Sequence, residues 1–228
     1  MPPIPPQTFI FEFLVPEILY SISLFIFCTL IYFKTKEIYE LTSEKSIRYF
    51  RFSFLFLGIA YLSRSVLYLL LSWGVIFEVP PRLLFPDLRI VALFSGFFLA
   101  YFGSLSILYL ILSLIWRKLG EHSHETIVHI LAVFVAFLTL LFGANYLLVS
   151  QIIFFTILMT SIYLSYQKAE KKKPFFAGIY PIYILIFVFW VINVVLLTIR
   201  MHFEIRLILY TLSAFFVGYI AYRVSRTT

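Results

Sequence analysis

Arg64 stands deep inside an apolar run, and no other residue of the chain raises a sharper chemical question. A guanidinium does not readily shed its proton, so it needs an anion, an acceptor or water. Arg64 lies 13 residues beyond Arg51, which marks the basic edge of that run. In a helix this is about 20 Å of depth. A charge at the centre of a bilayer costs about 2.5–3.5 kcal/mol on insertion scales, and less when the side chain snorkels to an interface. Glu17 is the matching group, 17 residues before Lys34. That puts it about 25 Å from the same edge, about 6 Å from the level of Arg64 and within its reach. Asn193 offers an amide acceptor in the outer part of another run, and Glu78, Asp87 and Glu204 are alternatives in the gaps. Tyr61 and Tyr68 bracket Arg64 close to its helical face and are candidate cavity walls. Three readings stay open: a structural Glu17–Arg64 pair tying two helices, a site for an anion or polar ligand in an outward-facing cavity, and a snorkelling arginine. Arg82, Arg89, Arg200 and Arg206 gather at the same outer side with His202 and Glu204. They read as a solvated loop surface or as an outer basic vestibule that attracts anions.

Other residue sets fall short of chemistry. In Glu121-His122-Ser123-His124-Glu125 the two histidines are two apart, which suits neither one helical face nor a common zinc spacing. Ser123 reads instead as an N-cap with Glu125 in the first turn. His129 follows about a turn later as a helix-interface histidine or a buried pH-sensitive group. Cys28 is the one cysteine, so no internal disulfide or metal-type pair exists, and it reads as a small core residue. Lysine is absent after Lys173, so the last run has no amine for a retinal Schiff base. No nucleophile–base pair, acid pair or ligand set lies at depth, so no enzymatic activity and no cofactor are expected.

The elements that must position Arg64 are membrane helices. Hydrophobic residues make up 62% of the chain and charged ones 13%, about half the charged share of soluble domains. A helix needs about 20 apolar residues to cross a bilayer core. Barrel-type alternation is absent, and open sheets cannot span lipid. The expected fold is all-α: a polytopic seven-helix bundle with spans near 14–33, 52–74, 89–116, 126–143, 146–166, 177–199 and 206–222. Gly143-Ala144-Asn145 must turn the fourth span into the fifth. The N-terminal segment 1–13 is Pro-rich and lacks the basic start of a signal peptide. It carries Pro2 where myristoylation would need a glycine. The first run is therefore expected to be retained.

Basic residues gather in alternate gaps. Lys34, Lys36, Lys45, Arg48, Arg51, Arg117, Lys118, Lys168, Lys171, Lys172, Lys173, Arg223 and Arg226 fall on one side, against Arg82, Arg89, Arg200 and Arg206 on the other. The positive-inside rule then puts the N-terminus outside and the C-terminus in the cytoplasm. The chain is expected in the cell (cytoplasmic) membrane as one domain, 1–228, with 34–51 as its main cytoplasmic loop. Its net charge of +7 caps helices and makes no continuous basic face, so nucleic acid is not expected as a partner; the lipid bilayer is. Small residues Ala92, Gly96, Ala100 and Gly103, and Ala214, Gly218 and Ala221, form stripes for close helix contact or a homo-oligomer face. The 28 Phe and 16 Tyr residues read as lipid-facing bulk or as walls of an aromatic cavity. Pro181 is the only proline within a span after Pro16.

The stretch Lys36-Glu37-Ile38-Tyr39-Glu40-Leu41-Thr42-Ser43-Glu44-Lys45, then Tyr49-Phe50-Arg51-Phe52 and Phe54-Leu55-Phe56-Leu57-Gly58, resembles the first inner loop of prokaryotic seven-helix membrane sensor modules. Such modules are found at the N-terminus of histidine kinases, and this chain looks like a stand-alone, archaeal-type form with no output domain after Arg226. The resemblance implies sensing by the membrane bundle, a small ligand, and signalling through a separate cytoplasmic or membrane partner. It transfers no catalytic residue. A small transporter or channel for an anion or apolar solute is one alternative, and a structural subunit of a membrane complex is another.

Overall fold

A computed structural model describes residues 14–76, 81–119, 124–168, 180–198 and 201–226. Seven helices and no strand occur among the described residues: α1 (Val15–Thr42), α2 (Lys45–Ile76), α3 (Pro81–Leu119), α4 (His124–Phe142), α5 (Ala144–Lys168), α6 (Tyr180–Thr198) and α7 (Phe203–Ser225). Six of them are long and apolar enough to cross a membrane, and Pro181–Leu196 in α6 is a shorter apolar stretch. The outer faces are apolar as lipid requires, with Phe137, Leu141, Ile152, Ile208 and Phe215 all exposed. The protein is thus a helical bundle of membrane-spanning character.

Segment 34–51 differs from the expected loop. It is helical except at Ser43 and Glu44, so α1 and α2 run on past their apolar parts. Lys34–Glu37 and Lys36–Glu40 pairs, at 4.0 and 3.5 Å, support the extension of α1 at helical spacing. Ser43 then takes a left-handed conformation (φ 52°), and its N–H donates to the Tyr39 carbonyl at 2.7 Å to close the helix end. Pro181 also causes no break. It falls in the first turn of α6, where its missing N–H would have had no helical partner.

The turn expected around Gly143 narrows to that one residue. Its φ of +81° is the left-handed region that glycine enters without strain. His129 of α4 stands against Tyr101 and Tyr109 of α3, while Gln151 of α5 faces a cavity shared with Leu99 and Gly103 of α3. The chain has therefore reversed between them, and α4 and α5 form a hairpin. Ser123 and the segment 1–13 lie outside the described residues.

Helix α1 packs between α2 and α7, α3 packs on α2, α4 and α5, and α6 packs on α7 and α5. The ring α1–α2–α3–α5–α6–α7 closes, and α4 lies outside it. Glycines set two of these contacts. A Cβ at Gly58 would stand 3.2 Å from Cys28 Cβ, so α1 and α2 meet closely there, and Cys28 is a fully buried core residue. A Cβ at Gly218 would meet the Phe27 ring at 3.4 Å, which seats α7 on α1. The expected stripe on α3 behaves differently. Gly96 and Gly103 have nothing within 4 Å of a Cβ position, so they leave space where close contact was expected.

The end of the bundle that carries Ser46, Arg48 and Tyr183 is cross-linked between helices and packed with buried aromatics. Ser46 Oγ donates to the Ser113 carbonyl at 2.7 Å, and Ser113 Oγ shares a 2.8 Å hydrogen bond with the Tyr183 hydroxyl. Phe50, Phe54, Tyr183 and Ile186 are buried there. Arg48 and Glu125 add a half-exposed pair at 3.0 Å between α2 and α4.

Candidate functional site

Four helices bring polar side chains together at the opposite end. On α1, Glu17, Tyr20, Ser21, Leu24, Cys28 and Ile31 are buried at three- and four-residue spacing, so Glu17 begins the inward face. On α2 the inward face runs through Phe50, Phe54, Leu57 and Tyr61 to Arg64. On α6 it runs through Ile186 and Phe189 to Asn193, and on α7 from Arg206 through Tyr210 and Ser213 to Val217.

Glu17 is the centre of an ionic cluster and is 1% exposed. Arg64, 5% exposed, places Nη2 2.8 Å from Glu17 Oε1 and 2.7 Å from Oε2. Arg206 Nη2 donates to Oε1 at 2.9 Å, and its Nε donates to the Tyr210 hydroxyl at 2.7 Å. The Tyr210 hydroxyl in turn donates to Glu17 Oε1. One carboxylate thus holds α1 to both α2 and α7. The Arg64 guanidinium also lies 6.0 Å from the Tyr61 ring centre and 5.8 Å from that of Tyr68, a cation–π distance that offsets part of its desolvation.

A neutral cluster lies one turn deeper. Asn193 Oδ1 accepts from the Tyr20 hydroxyl at 2.8 Å and from the Tyr61 hydroxyl at 2.6 Å. Asn193 Nδ2 donates to Ser213 Oγ at 3.0 Å and to the Phe189 carbonyl at 2.8 Å. Tyr20 stacks on Tyr210 with ring centres 4.6 Å apart, which joins the two clusters. All four helices α1, α2, α6 and α7 meet in this assembly.

A cavity opens on the other side of Arg64. It is lined by Leu57, Ala60, Tyr61 and Arg64 of α2, Leu99 and Gly103 of α3, Leu147, Leu148 and Gln151 of α5, and Trp190, Asn193 and Val194 of α6. Arg64 therefore pairs with Glu17 and is also part of the cavity wall. Below the cavity α5 and α6 meet through Phe155, whose ring centre is 5.8 Å from both Phe187 and Trp190.

The structure thus brings Arg64, Glu17, Tyr61 and Tyr68 together as a group, with two departures. Asn193 makes no bond to Arg64 and serves the tyrosines instead. Tyr68 touches the guanidinium but is not among the residues lining the cavity. Arg206, grouped in sequence with an outer vestibule, turns onto Glu17 and is 21% exposed. Arg200 lies outside the described residues, as do the side chains of Arg82 and Arg89. His129 is an interface histidine: its Nδ1 is 2.8 Å from the Tyr101 hydroxyl and its Nε2 3.1 Å from that of Tyr109. No cluster of three or more His, Cys, Asp or Glu side chains that could hold a metal occurs among the described residues.

Sequence reasoning missed Tyr20, Tyr210, Ser213, Gln151 and Trp190. Tyr20 and Tyr210 carried a readable signal, since each sits three or four residues from a charged residue on the same helical face. Gln151 and Trp190 carried none, because nothing in their spacing says which residues face a void.

The chain is 39% identical over 233 residues to a protein of Archaeoglobus fulgidus described as an uncharacterized protein, and the match covers 99% of each chain. No protein-family description matches the chain, and no solved structure matches it.

Proposed function

The chain belongs to the family of the Archaeoglobus fulgidus protein, and we propose for it the role of a receptor: a non-enzymatic seven-helix sensor in the cell membrane that signals through a separate partner. In this reading the N-terminus is outside and the C-terminus is in the cytoplasm, in keeping with the distribution of Lys and Arg.

The observation that carries the reading is the double use of Arg64. Its guanidinium holds Glu17, and the residue is also part of the cavity wall. An occupant of the cavity that engages Arg64 competes with Glu17. Glu17 is also the group on which α7 rests, through Arg206 and Tyr210. Loosening it reseats α1 between α2 and α7, and α1 and α2 extend as a helical pair through 34–51 to where a partner docks. The ligand can shift this equilibrium only by its difference in affinity for the two arrangements. The buried aromatic packing of Phe50, Phe54 and Tyr183 at the other end supports sensing over passage of a solute.

The test uses the whole chain in liposomes. Tags on Met1 and Thr228 should be accessible from opposite sides. A cysteine placed at the exposed Glu40, in a Cys28→Ala background, should react with a maleimide at a different rate once Glu17→Gln is introduced. An anion flux that disappears with Arg64→Leu would turn the reading to a transporter. An unchanged Glu40 rate would leave Arg64 as a structural tie.

A further inference from the structure

A groove opens on the outer surface of the bundle where α7 lies against α1. Ala214, Phe215, Gly218, Tyr219 and Tyr222 of α7 line it together with Phe27 of α1. The α7 positions recur at three and four residues, so they share one helical face. From Thr211 at its far end to Tyr222, the groove follows α7 for about 16 Å at the helical rise. That is close to the depth of one leaflet, half of a hydrocarbon core of roughly 30 Å. Its volume is about 500 Å³. Thr211 Oγ1 donates to the Leu207 carbonyl at 2.9 Å, so its hydroxyl makes no demand on an occupant. The glycine in the groove is already in use. A Cβ at Gly218 would meet the Phe27 ring at 3.4 Å, so Gly218 seats α1 and the Phe27 ring forms the floor. Phe215, Tyr219 and Tyr222 stand exposed along the groove.

The same face of α7 runs on into charge. Arg223 follows Tyr219 by one turn, and Arg226 follows Tyr222 by one turn. The Arg226 guanidinium carbon lies 5.6 Å from the Tyr222 ring centre, which holds it over the end of the groove. Helix α7 has no acidic residue after Glu204. On α1, Glu37 and Glu40 pair with Lys34 and Lys36. Neither Arg223 nor Arg226 makes an ion pair among the described residues. An apolar trough of leaflet depth thus ends at two uncompensated cations.

This pattern selects the occupant. A guanidinium fork suits the oxygens of a phosphate, and the trough suits hydrocarbon. A second copy docked here about a two-fold axis would bring its own Arg223 and Arg226 against these, like charge against like. An uncharged hydrocarbon would leave the arginines without a counter-charge, and free phosphate would leave the trough unused. We infer that the groove between α1 and α7 binds one anionic glycerophospholipid, with an acyl chain along Phe27, Ala214 and Gly218 and the phosphate on Arg223 and Arg226. The site stands apart from the Arg64 cluster and does not depend on the receptor reading.

The purified full chain in detergent is mixed with dioleoyl phosphatidylglycerol or with dioleoyl phosphatidylcholine, whose choline cancels the phosphate charge. Native mass spectrometry counts the retained lipid, and thermal unfolding is followed in the same samples. The chain should retain one phosphatidylglycerol in preference to phosphatidylcholine and unfold at a higher temperature with it. Arg223→Gln with Arg226→Gln removes both charges and should lower the preference by about tenfold. Ala214→Trp fills the trough and should abolish retention of both lipids with the helical content unchanged; if that variant fails to fold, the arginine pair decides. Equal retention of the two lipids overturns the assignment, and so does a preference that survives the loss of both arginines or survives Ala214→Trp. Stabilisation by inorganic phosphate equal to that by phosphatidylglycerol would reduce the site to an anion site and overturn the lipid. A dimer that Ala214→Trp splits, with no lipid retained, would make this face an interface between copies and overturn it as well.

Discussion

Replacing Glu17 with glutamine keeps the shape of the side chain and removes the charge that three donors share. The donors are Arg64 Nη2, Arg206 Nη2 and the Tyr210 hydroxyl. Removing one partner of a buried ion pair costs about 3–5 kcal/mol, because the other charge is left without compensation. Glu17 and Arg64 are 1% and 5% exposed, so solvent screens their pair little, whereas Arg206 at 21% can turn partly to water. The amide oxygen of glutamine still accepts one bond. The expected loss is therefore near the lower end, about 3 kcal/mol. The neutral cluster supplies the control. Tyr61→Phe removes one bond to Asn193, and interhelical hydrogen bonds of that kind are worth about 0.6 kcal/mol in membrane proteins. Reversible unfolding in mixed detergent micelles measures both. The double substitution Glu17→Gln with Arg64→Gln should cost clearly less than the sum of the single ones, since each alone strands its partner. If Glu17→Gln costs no more than Tyr61→Phe, or the two changes add, the charge pair does not hold these helices.

Three further outcomes follow from the packing. Gly143→Val should cost about 1–2 kcal/mol from left-handed backbone strain alone, since its side chain would have open space, while Gly143→Asn should cost less; thermal unfolding of the two variants separates them. Gly58→Leu should destabilise by about 1–3 kcal/mol through overpacking against Cys28, a loss to be read from the same unfolding curves. His129→Leu strands the hydroxyls of Tyr101 and Tyr109, so adding Tyr101→Phe and Tyr109→Phe should restore part of the stability that it removes. A triple variant no more stable than His129→Leu would contradict that pairing.

The helices were legible because each apolar run is close to membrane length and the gaps hold charge, Gly or Pro. The hairpin at Gly143 was legible for the same reason. The pairing of Glu17 with Arg64 followed from depth arithmetic, since both positions are fixed by helical rise from basic edges that mark one interface. Helical continuation through 34–51 was not read, because its charged residues signal an interface without saying whether the helix ends there. The inward turn of Arg206 was also missed. A charge near a helix end looks the same in sequence whether it faces solvent or a neighbour's carboxylate. The cavity was invisible for a related reason: Gly103 reads as a close-contact residue, and only the packing of α5 and α6 around it leaves the space open.

A receptor of this kind requires Glu17 to set the position of α1 against α7. Spin labels at Glu40 on α1 and Ser225 on α7, both exposed and near the same end of the bundle, report that position in a lipid bilayer. Pulsed electron resonance on the otherwise wild-type chain and on Glu17→Gln gives the two distance distributions. A receptor held by Glu17 should show a displaced distribution in the variant, with the helical content unchanged. Superimposable distributions would contradict it.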